Sequence, residues 1–146
     1  MERSETEQLI VVGVDGSESS RSALRWAARQ AALTGAELRP LQAWQLPPAY
    51  GMPVDYSDVD VAKQTRRSLD QTIEEVVGAH PEVPVDARVV EGHPAAVLVE
   101  ASRDADLLVV GSHGRGAFAG MLLGSVSGHC VHHASCPVLV VRSDRP

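Results

Sequence analysis

The sequence predicts an α/β protein in which a three-layer, doubly wound parallel sheet of five strands is covered by helices on both faces. Short apolar runs of strand length alternate along the chain with longer segments in which apolar residues recur at helical spacing. The first run, at 9–14, is apolar throughout, which is typical of a parallel strand buried on both faces. Strands that alternate with helices favour parallel pairing through helical crossovers. The length of 146 residues fits a single domain spanning 1–146.

The first half of the chain contains two predicted strands and two predicted helices. The strand at 9–14 is followed by a helix over 19–34, a second strand over 37–44 and a second helix over 58–79. Pro40 weakens the prediction for the second strand, because proline has no N–H to donate to the ladder. The intervening loop is rich in proline and glycine.

The second half contains three shorter strands and two helices. Residues 85–89 alternate between apolar and polar side chains, as in a half-buried strand, and 92–102 predicts a short helix with proline in its first turn. The apolar run 107–110 predicts the fourth strand, 125–134 a helix, and 138–141 the last strand.

Composition and charge exclude several classes of protein. The formal net charge of −6 argues against a general nucleic-acid or anionic-membrane surface. No apolar run approaches the roughly 20 residues of a membrane span. The polar, acidic N-terminus lacks the features of a signal peptide, so we expect a cytoplasmic protein. In that compartment Cys130 and Cys136 are expected to be reduced thiols.

Three histidines in the last predicted helix suggest a metal site, but the motif is incomplete. His129 and His133 have the i, i+4 spacing of a zinc-binding pair. The chain has neither the glutamate of an H-E-x-x-H motif nor a C-x-x-C motif, so no metal site is expected from motifs. Gly128, in the same helix, is expected to cost about 1 kcal/mol relative to alanine.

A glycine-rich turn follows the fourth strand and precedes the last helix. It begins Gly111-Ser-His-Gly114 and ends Gly124-Ser125. Glycines let a backbone approach an anion closely, and the N–H groups and dipole at the start of a helix favour phosphate. Ser125 is also a natural N-cap, which is a purely structural alternative. The turn therefore predicts a phosphate site.

The spacing Gly111-x2-Gly114-x9-Gly124-Ser125 resembles the nucleotide-binding signature of the universal stress protein family, in its ATP-binding branch. Residues 12–17 resemble the first strand and loop of that family, and residues 136–142 resemble its last strand. Together these segments cover a core of about 8–142. The resemblance implies the strand order 3-2-1-4-5 of an adenine-nucleotide-binding, Rossmann-like fold, an order that periodicity alone does not specify.

In this topology ligands bind at the carboxyl ends of the strands where the winding reverses, between the first and fourth strands. The resemblance implies nucleotide contacts at Gly13, Val14, Asp15, Ala43, Gly111, Ser112, His113, Gly114, Arg115, Gly116, Gly124, Ser125, Val126 and Ser127. The backbone of Ala43 would contact adenine, the turn 111–116 the ribose and phosphates, and residues 124–127 the distal phosphates. Asp15 could accept from ribose hydroxyls or help hold a metal ion, or could be a turn residue. Arg115 could equally point to solvent.

The resemblance implies a regulatory stress-response protein that binds ATP with Mg²⁺ and forms a homodimer through the last strand, 137–141. The chain has no G-x-x-x-x-G-K-[ST] motif and no visible catalytic base, so we expect no catalytic residues and at most slow ATP hydrolysis. The alternatives are a slow ATPase or adenylyl-transfer enzyme, and an interaction module that binds AMP or a cyclic nucleotide. No nucleic-acid or membrane partner is expected.

Overall fold

The computed structural model describes residues 8–46, 60–79, 81–114 and 123–143. Within them, five parallel strands form one sheet in the order β3-β2-β1-β4-β5, with helices on both faces, so the predicted fold class and strand order are confirmed. The elements are β1 (Leu9–Gly13), α1 (Glu18–Thr34), β2 (Glu37–Trp44), α2 (Val61–Val76), β3 (Arg88–Glu91), α3 (Pro94–Ala101) with a 3₁₀ turn (Ser102–Asp104), β4 (Leu107–Gly111), α4 (Ser125–His133) and β5 (Val138–Val141).

Two apolar clusters fix the sheet between its helices. On one face Ile10 and Val12 of β1 pack with buried alanines of α1 and with Leu69 of α2. On the other face Leu9 and Val11 pack with α3 and α4. Each aliphatic side chain that is fully removed from water contributes about 1.5–3 kcal/mol. β1 is therefore held on both faces, and its carboxyl end is a rigid position.

Pro40 lies inside β2 and is buried, although proline weakens a strand prediction. The N–H of Leu38 donates to the carbonyl of Pro84, on the β3 side of the strand. Alternate residues of a strand direct their hydrogen-bonding groups to the same neighbour, so the donor that Pro40 lacks would also face β3. The ladder to β1 is unaffected at this residue.

The third strand is shorter and later than the predicted range 85–89. Val85 makes only an isolated bridge with Leu38, and continuous pairing begins where Leu41 is opposite Arg88. The interruption lies beside Pro40, where one donor is missing. The predicted bounds of this edge strand were therefore wrong, because its pairing is interrupted beside Pro40, which belongs to the neighbouring strand β2.

The ends of two helices also differ from the predictions. Ser125 is the first residue of α4 rather than its N-cap, which is Gly124, so the structural alternative for Ser125 does not apply. α2 begins after an Asp60 cap and ends before Val77, so it is shorter than the predicted 58–79, of which 58 and 59 lie outside the described residues. Gly78, with a φ of 107°, follows that end and cannot continue a helix.

The two cysteines are both free thiols, as expected. Burial raises the pKa of Cys130 to about 11, and burial together with the nearby Asp106 carboxylate raises the pKa of Cys136. Both are therefore protonated packing residues at neutral pH. Across the described ranges, no helix has the length and apolar character needed to cross a membrane.

Candidate functional site

A crevice of about 420 Å³ opens at the carboxyl ends of β1 and β4, where the winding of the sheet reverses. The loops after both strands, the start of α4 and part of α3 enclose it. Its lining residues are Gly13, Val14, Asp15, Ser17, Ser20, Leu41, Ala43, Pro94, Leu98, Val110, Gly111, His113, Gly114, Gly124, Ser125, Val126 and Ser127. The volume is in the range of small-molecule sites, about 300–1,000 Å³.

Asp15 is oriented by the turn that joins β1 to α1. One carboxylate oxygen, Oδ1, accepts a hydrogen bond of 2.8 Å from the N–H of Ser17, and the N–H of Asp15 donates to Ser20 Oγ at 3.3 Å. The other oxygen, Oδ2, lies toward the glycine-rich turn, since a Cβ on Gly114 would be only 2.7 Å from it. The carboxylate is thus fixed between the two loops of the crevice.

Serines of α1 attach the start of that helix to the turn after β4. Ser19 and Ser17 donate their hydroxyl protons to the carbonyl of His113, the latter at 3.4 Å. The N–H of His113 points at Ser19 Oγ, at 3.3 Å. The backbone at the start of α1 approaches the end of β4 so closely that Gly111 must be glycine, because a Cβ there would lie 2.7 Å from the backbone N of Ser20. The turn is therefore held in one position at this end.

The start of α4 is attached to the same turn by Ser112. Its carbonyl accepts from the N–H of Gly124 at 2.7 Å and from Ser127 Oγ at 2.9 Å. The first N–H groups of a helix have no acceptor within the helix, and here they belong to Ser125, Val126 and Ser127, which line the crevice. This corner of the crevice is suited to an anion.

The opposite part of the crevice is apolar and was missed by sequence reasoning. Pro94 and Leu98 of α3 face the ends of β2 and β4, where Leu41 and Val110 complete the wall beside Ala43. Leu98 also packs against β1 so closely that a Cβ on Gly13 would be 2.9 Å from its Cδ1. The only available signal was that α3 had to cover this end of the sheet. Ser17 and Ser20 were missed as well, although they lie only two and five residues after Asp15.

Most of the predicted site residues meet in this crevice. Its walls include Gly13, Val14, Asp15, Ala43, Gly111, His113, Gly114, Gly124, Ser125, Val126 and Ser127. Ser112 is buried behind the wall, where its backbone supports α4. Arg115 and Gly116 lie outside the described residues.

Metal ligands are sparse in the described part of the chain, where no group of three or more His, Cys, Asp or Glu side chains is arranged to hold an ion. Asp15 supplies the carboxylate of the crevice, and a carboxylate oxygen is a suitable ligand for Mg²⁺ when phosphates and water complete the shell. The donor set fits a metal ion that arrives with a phosphorylated ligand.

The parallel sheet and its crevice define a Rossmann-like α/β protein with a crevice at the topological switch point. The sequence model of the universal stress protein family matches residues 8–142. The chain belongs to the universal stress protein family.

Relatives of known sequence and structure agree with this assignment. Universal stress protein Rv2005c of Mycobacterium tuberculosis is 41% identical over 134 residues, which is 91% of this chain and 45% of that protein. The chain thus spans about half the length of the curated relatives it matches. The universal stress protein UspA from Lactobacillus plantarum has the same fold, with a TM-score of 0.74 and 21% identity over 92% of this chain and 97% of its own.

A second solved structure is more similar in sequence than UspA and contains a ligand. The crystal structure of a universal stress protein in complex with cAMP aligns with a TM-score of 0.64 and 33% identity, covering 94% of this chain and 98% of its own.

Proposed function

We propose that the crevice binds an adenine nucleotide, ATP with Mg²⁺, and that its occupancy regulates the protein rather than supporting turnover. One observation carries the proposal. A single crevice combines an apolar slot, between α3 and the ends of β2 and β4, with a glycine-rich, N–H-rich corner at the start of α4. A nucleotide has the same polarity, with a flat apolar base at one end and phosphates at the other.

The proposed orientation follows from that polarity. The base enters between Pro94 and Leu98 and reaches the backbone of Ala43. The ribose lies near Asp15, whose carboxylate can accept its hydroxyl protons. The phosphates extend toward Gly124–Ser127, where backbone N–H groups and the dipole of α4 favour negative charge.

Two observations bear on which nucleotide the crevice binds. The relative at 33% identity that was crystallised with cAMP supports an adenine nucleotide as the class of ligand. AMP or a cyclic nucleotide would use the same slot with fewer phosphates. We favour ATP because the start of α4, at Gly124–Ser127, offers backbone N–H groups to phosphates in addition to those of the turn that begins at Gly111.

We propose that the protein is not an enzyme, or at most a slow ATPase. Within the described lining, the titratable side chains are Asp15 and His113. Asp15 Oδ1 already accepts from Ser17, and Nδ1 of His113 lies 3.1 Å from Ser112 Oγ. Neither arrangement positions a base for an attacking water. We expect turnover well below about 1 s⁻¹, the lower end of ordinary enzymes, in a phosphate-release assay.

Calorimetric titration with Mg-ATP, AMP and cAMP tests the nucleotide proposal. Gly114→Ala should weaken binding at least tenfold, because its Cβ would be 2.7 Å from Asp15 Oδ2 at the centre of the crevice. Gly128→Ala is the matched control, since the same added methyl group meets no atom of another described element within 4 Å. No heat with any nucleotide, or equal affinities for the two variants, would contradict the proposal. Tighter binding of AMP or cAMP would replace ATP as the ligand.

We also propose a homodimer through the edge strand β5. The carbonyls of Pro137 and Val141 accept from N–H groups of the β4 side. Because successive residues of a strand direct their hydrogen-bonding groups to opposite sides, the backbone groups of Val138 and Val140 face away from β4, at the edge of the described sheet. Sedimentation equilibrium should give a dimer, and Val140→Pro should shift it toward monomer. A monomeric wild type at micromolar concentration would contradict this part.

A further inference from the structure

Helix α4 presents a pair of neighbouring imidazoles, tilted relative to each other, on its outer surface. His129 and His133 are both exposed, and their ring centroids lie 4.4 Å apart with an angle of 37° between the planes. They are one helical turn apart, so their side chains project from the same face of the helix. This pair lies outside the crevice and has no part in the nucleotide proposal.

The separation of the rings matches that of two ligands on one metal ion. Imidazole nitrogen binds Zn²⁺ at about 2.0–2.1 Å, so two rings at adjacent coordination positions have centroids on the order of 4.5–5 Å apart. The observed 4.4 Å is close to that value before any side-chain adjustment. Sequence spacing alone could not show this, because exposed histidines one turn apart can also adopt rotamers that diverge.

We propose that His129 and His133 form a two-histidine site for a borderline transition-metal ion, Zn²⁺, Ni²⁺ or Cu²⁺, with water completing the coordination shell. The pair lies in the C-terminal half of α4, where the carbonyl end of the helix dipole favours a cation. His132 is adjacent to His133 in sequence and projects about 100° away around the helix. Its ring meets that of His133 edge-on at a centroid distance of 6.4 Å, which is longer than the spacing of two ligands on one ion. It is not a ligand of this site.

The ligand type sets the selectivity of the site. Imidazole suits Zn²⁺, Ni²⁺ and Cu²⁺, whose affinities for nitrogen sites increase toward Cu²⁺. Mg²⁺ and Ca²⁺ prefer oxygen ligands and are not bound here. The site therefore does not compete for the Mg²⁺ that accompanies a nucleotide, and the two kinds of binding are measurable separately.

Binding at this pair has a structural consequence for α4. The helix has only nine residues, and Gly128 lies within it, so its intrinsic helix stability is low. An ion that bridges two successive turns binds the helical arrangement, and its stabilisation of that arrangement increases with the ratio of the free ion concentration to Kd. Zinc should therefore slow the exchange of backbone amide protons in α4 and raise the thermal midpoint.

The test is a titration of the untagged protein with ZnCl₂, followed by calorimetry and by NMR of the histidine side-chain nitrogens. His129→Gln and His133→Gln should each weaken zinc binding at least tenfold, equivalent to about 1.4 kcal/mol. His132→Gln is the matched control and should bind as wild type does. Glutamine has a similar or better helix propensity, so all three exposed substitutions should leave the fold unchanged by circular dichroism.

The NMR spectra identify the ligands directly. Zinc should shift the ring nitrogens of His129 and His133 together, at one stoichiometric equivalent, and leave those of His132 in place. The proposal is overturned if wild type shows no saturable zinc binding, if His132→Gln loses as much affinity as the other variants, or if all variants bind equally.

Discussion

Gly111 and Gly128 belong to the two structural elements that meet at the crevice, yet their surroundings are opposite. A Cβ on Gly111, at the end of β4, would lie 2.7 Å from the backbone N of Ser20 and from the carbonyl carbon of Ser19. A Cβ on Gly128, inside α4, would meet no atom of another described element within 4 Å. Glycine is required at the first position by close backbone approach and is dispensable at the second. The site differs from its surroundings in how closely other atoms approach its glycines, rather than in how many glycines it contains.

The largest effect expected from this comparison is that of Gly111→Ala. The atoms that would block the new methyl group are backbone atoms of α1, which cannot move without shifting the helix. We expect the free energy of unfolding to fall by about 1–3 kcal/mol, the usual cost of overpacking a rigid site. Chemical denaturation followed by circular dichroism measures it.

Loss of nucleotide binding should accompany this loss of stability, because the β4 turn and the start of α1 would separate. Ser19→Ala is the informative control: it removes the hydroxyl nearest the added carbon and leaves the backbone clash. If Gly111→Ala in that background regained full stability, the side chain and not the backbone would be the obstacle.

An intermediate effect is expected for Gly114→Ala. Here the obstacle is Asp15 Oδ2, the end of a side chain that can rotate. Rotation would disturb the 2.8 Å hydrogen bond from Ser17 to Asp15 Oδ1, so we expect a loss of about 1.5 kcal/mol in stability. A double-mutant cycle with Asp15→Ala measures the coupling of the two residues. Additive effects would contradict a direct clash.

The general fold was predictable because it depends on local patterns. The runs at 9–14 and 107–110 have the length and apolar character of buried strands, and alternation with helices restricts them to a parallel sheet. The order of the strands was not predictable from these patterns and came from the resemblance. The sequence predicts that Pro40 has no N–H to donate. It does not predict that the missing donor faces β3, because this depends on which side of β2 each neighbouring strand occupies.

The site was predictable where chemistry is encoded in consecutive residues and unpredictable where it depends on packing. Asp15 and Gly111–Gly114 were found because each follows its strand directly. Pro94 and Leu98 were missed because their place in the wall depends on how α3 crosses the sheet, which no local pattern specifies. The N-cap role, which was the structural alternative for Ser125, belongs to Gly124, whose N–H donates to the carbonyl of Ser112.

The smallest effect is expected for Gly128→Ala, and it has the opposite sign. Gly128 is helical, has no positive φ and has open space around its Cα, so alanine fits without strain. Alanine restricts the unfolded chain and favours the helix, so the free energy of unfolding should rise by up to about 1 kcal/mol. Thermal and chemical denaturation should both detect the gain, with nucleotide affinity unchanged. A loss of stability would mean that the space beside Gly128 does not accept a methyl group, and the contrast with Gly111 would then fail.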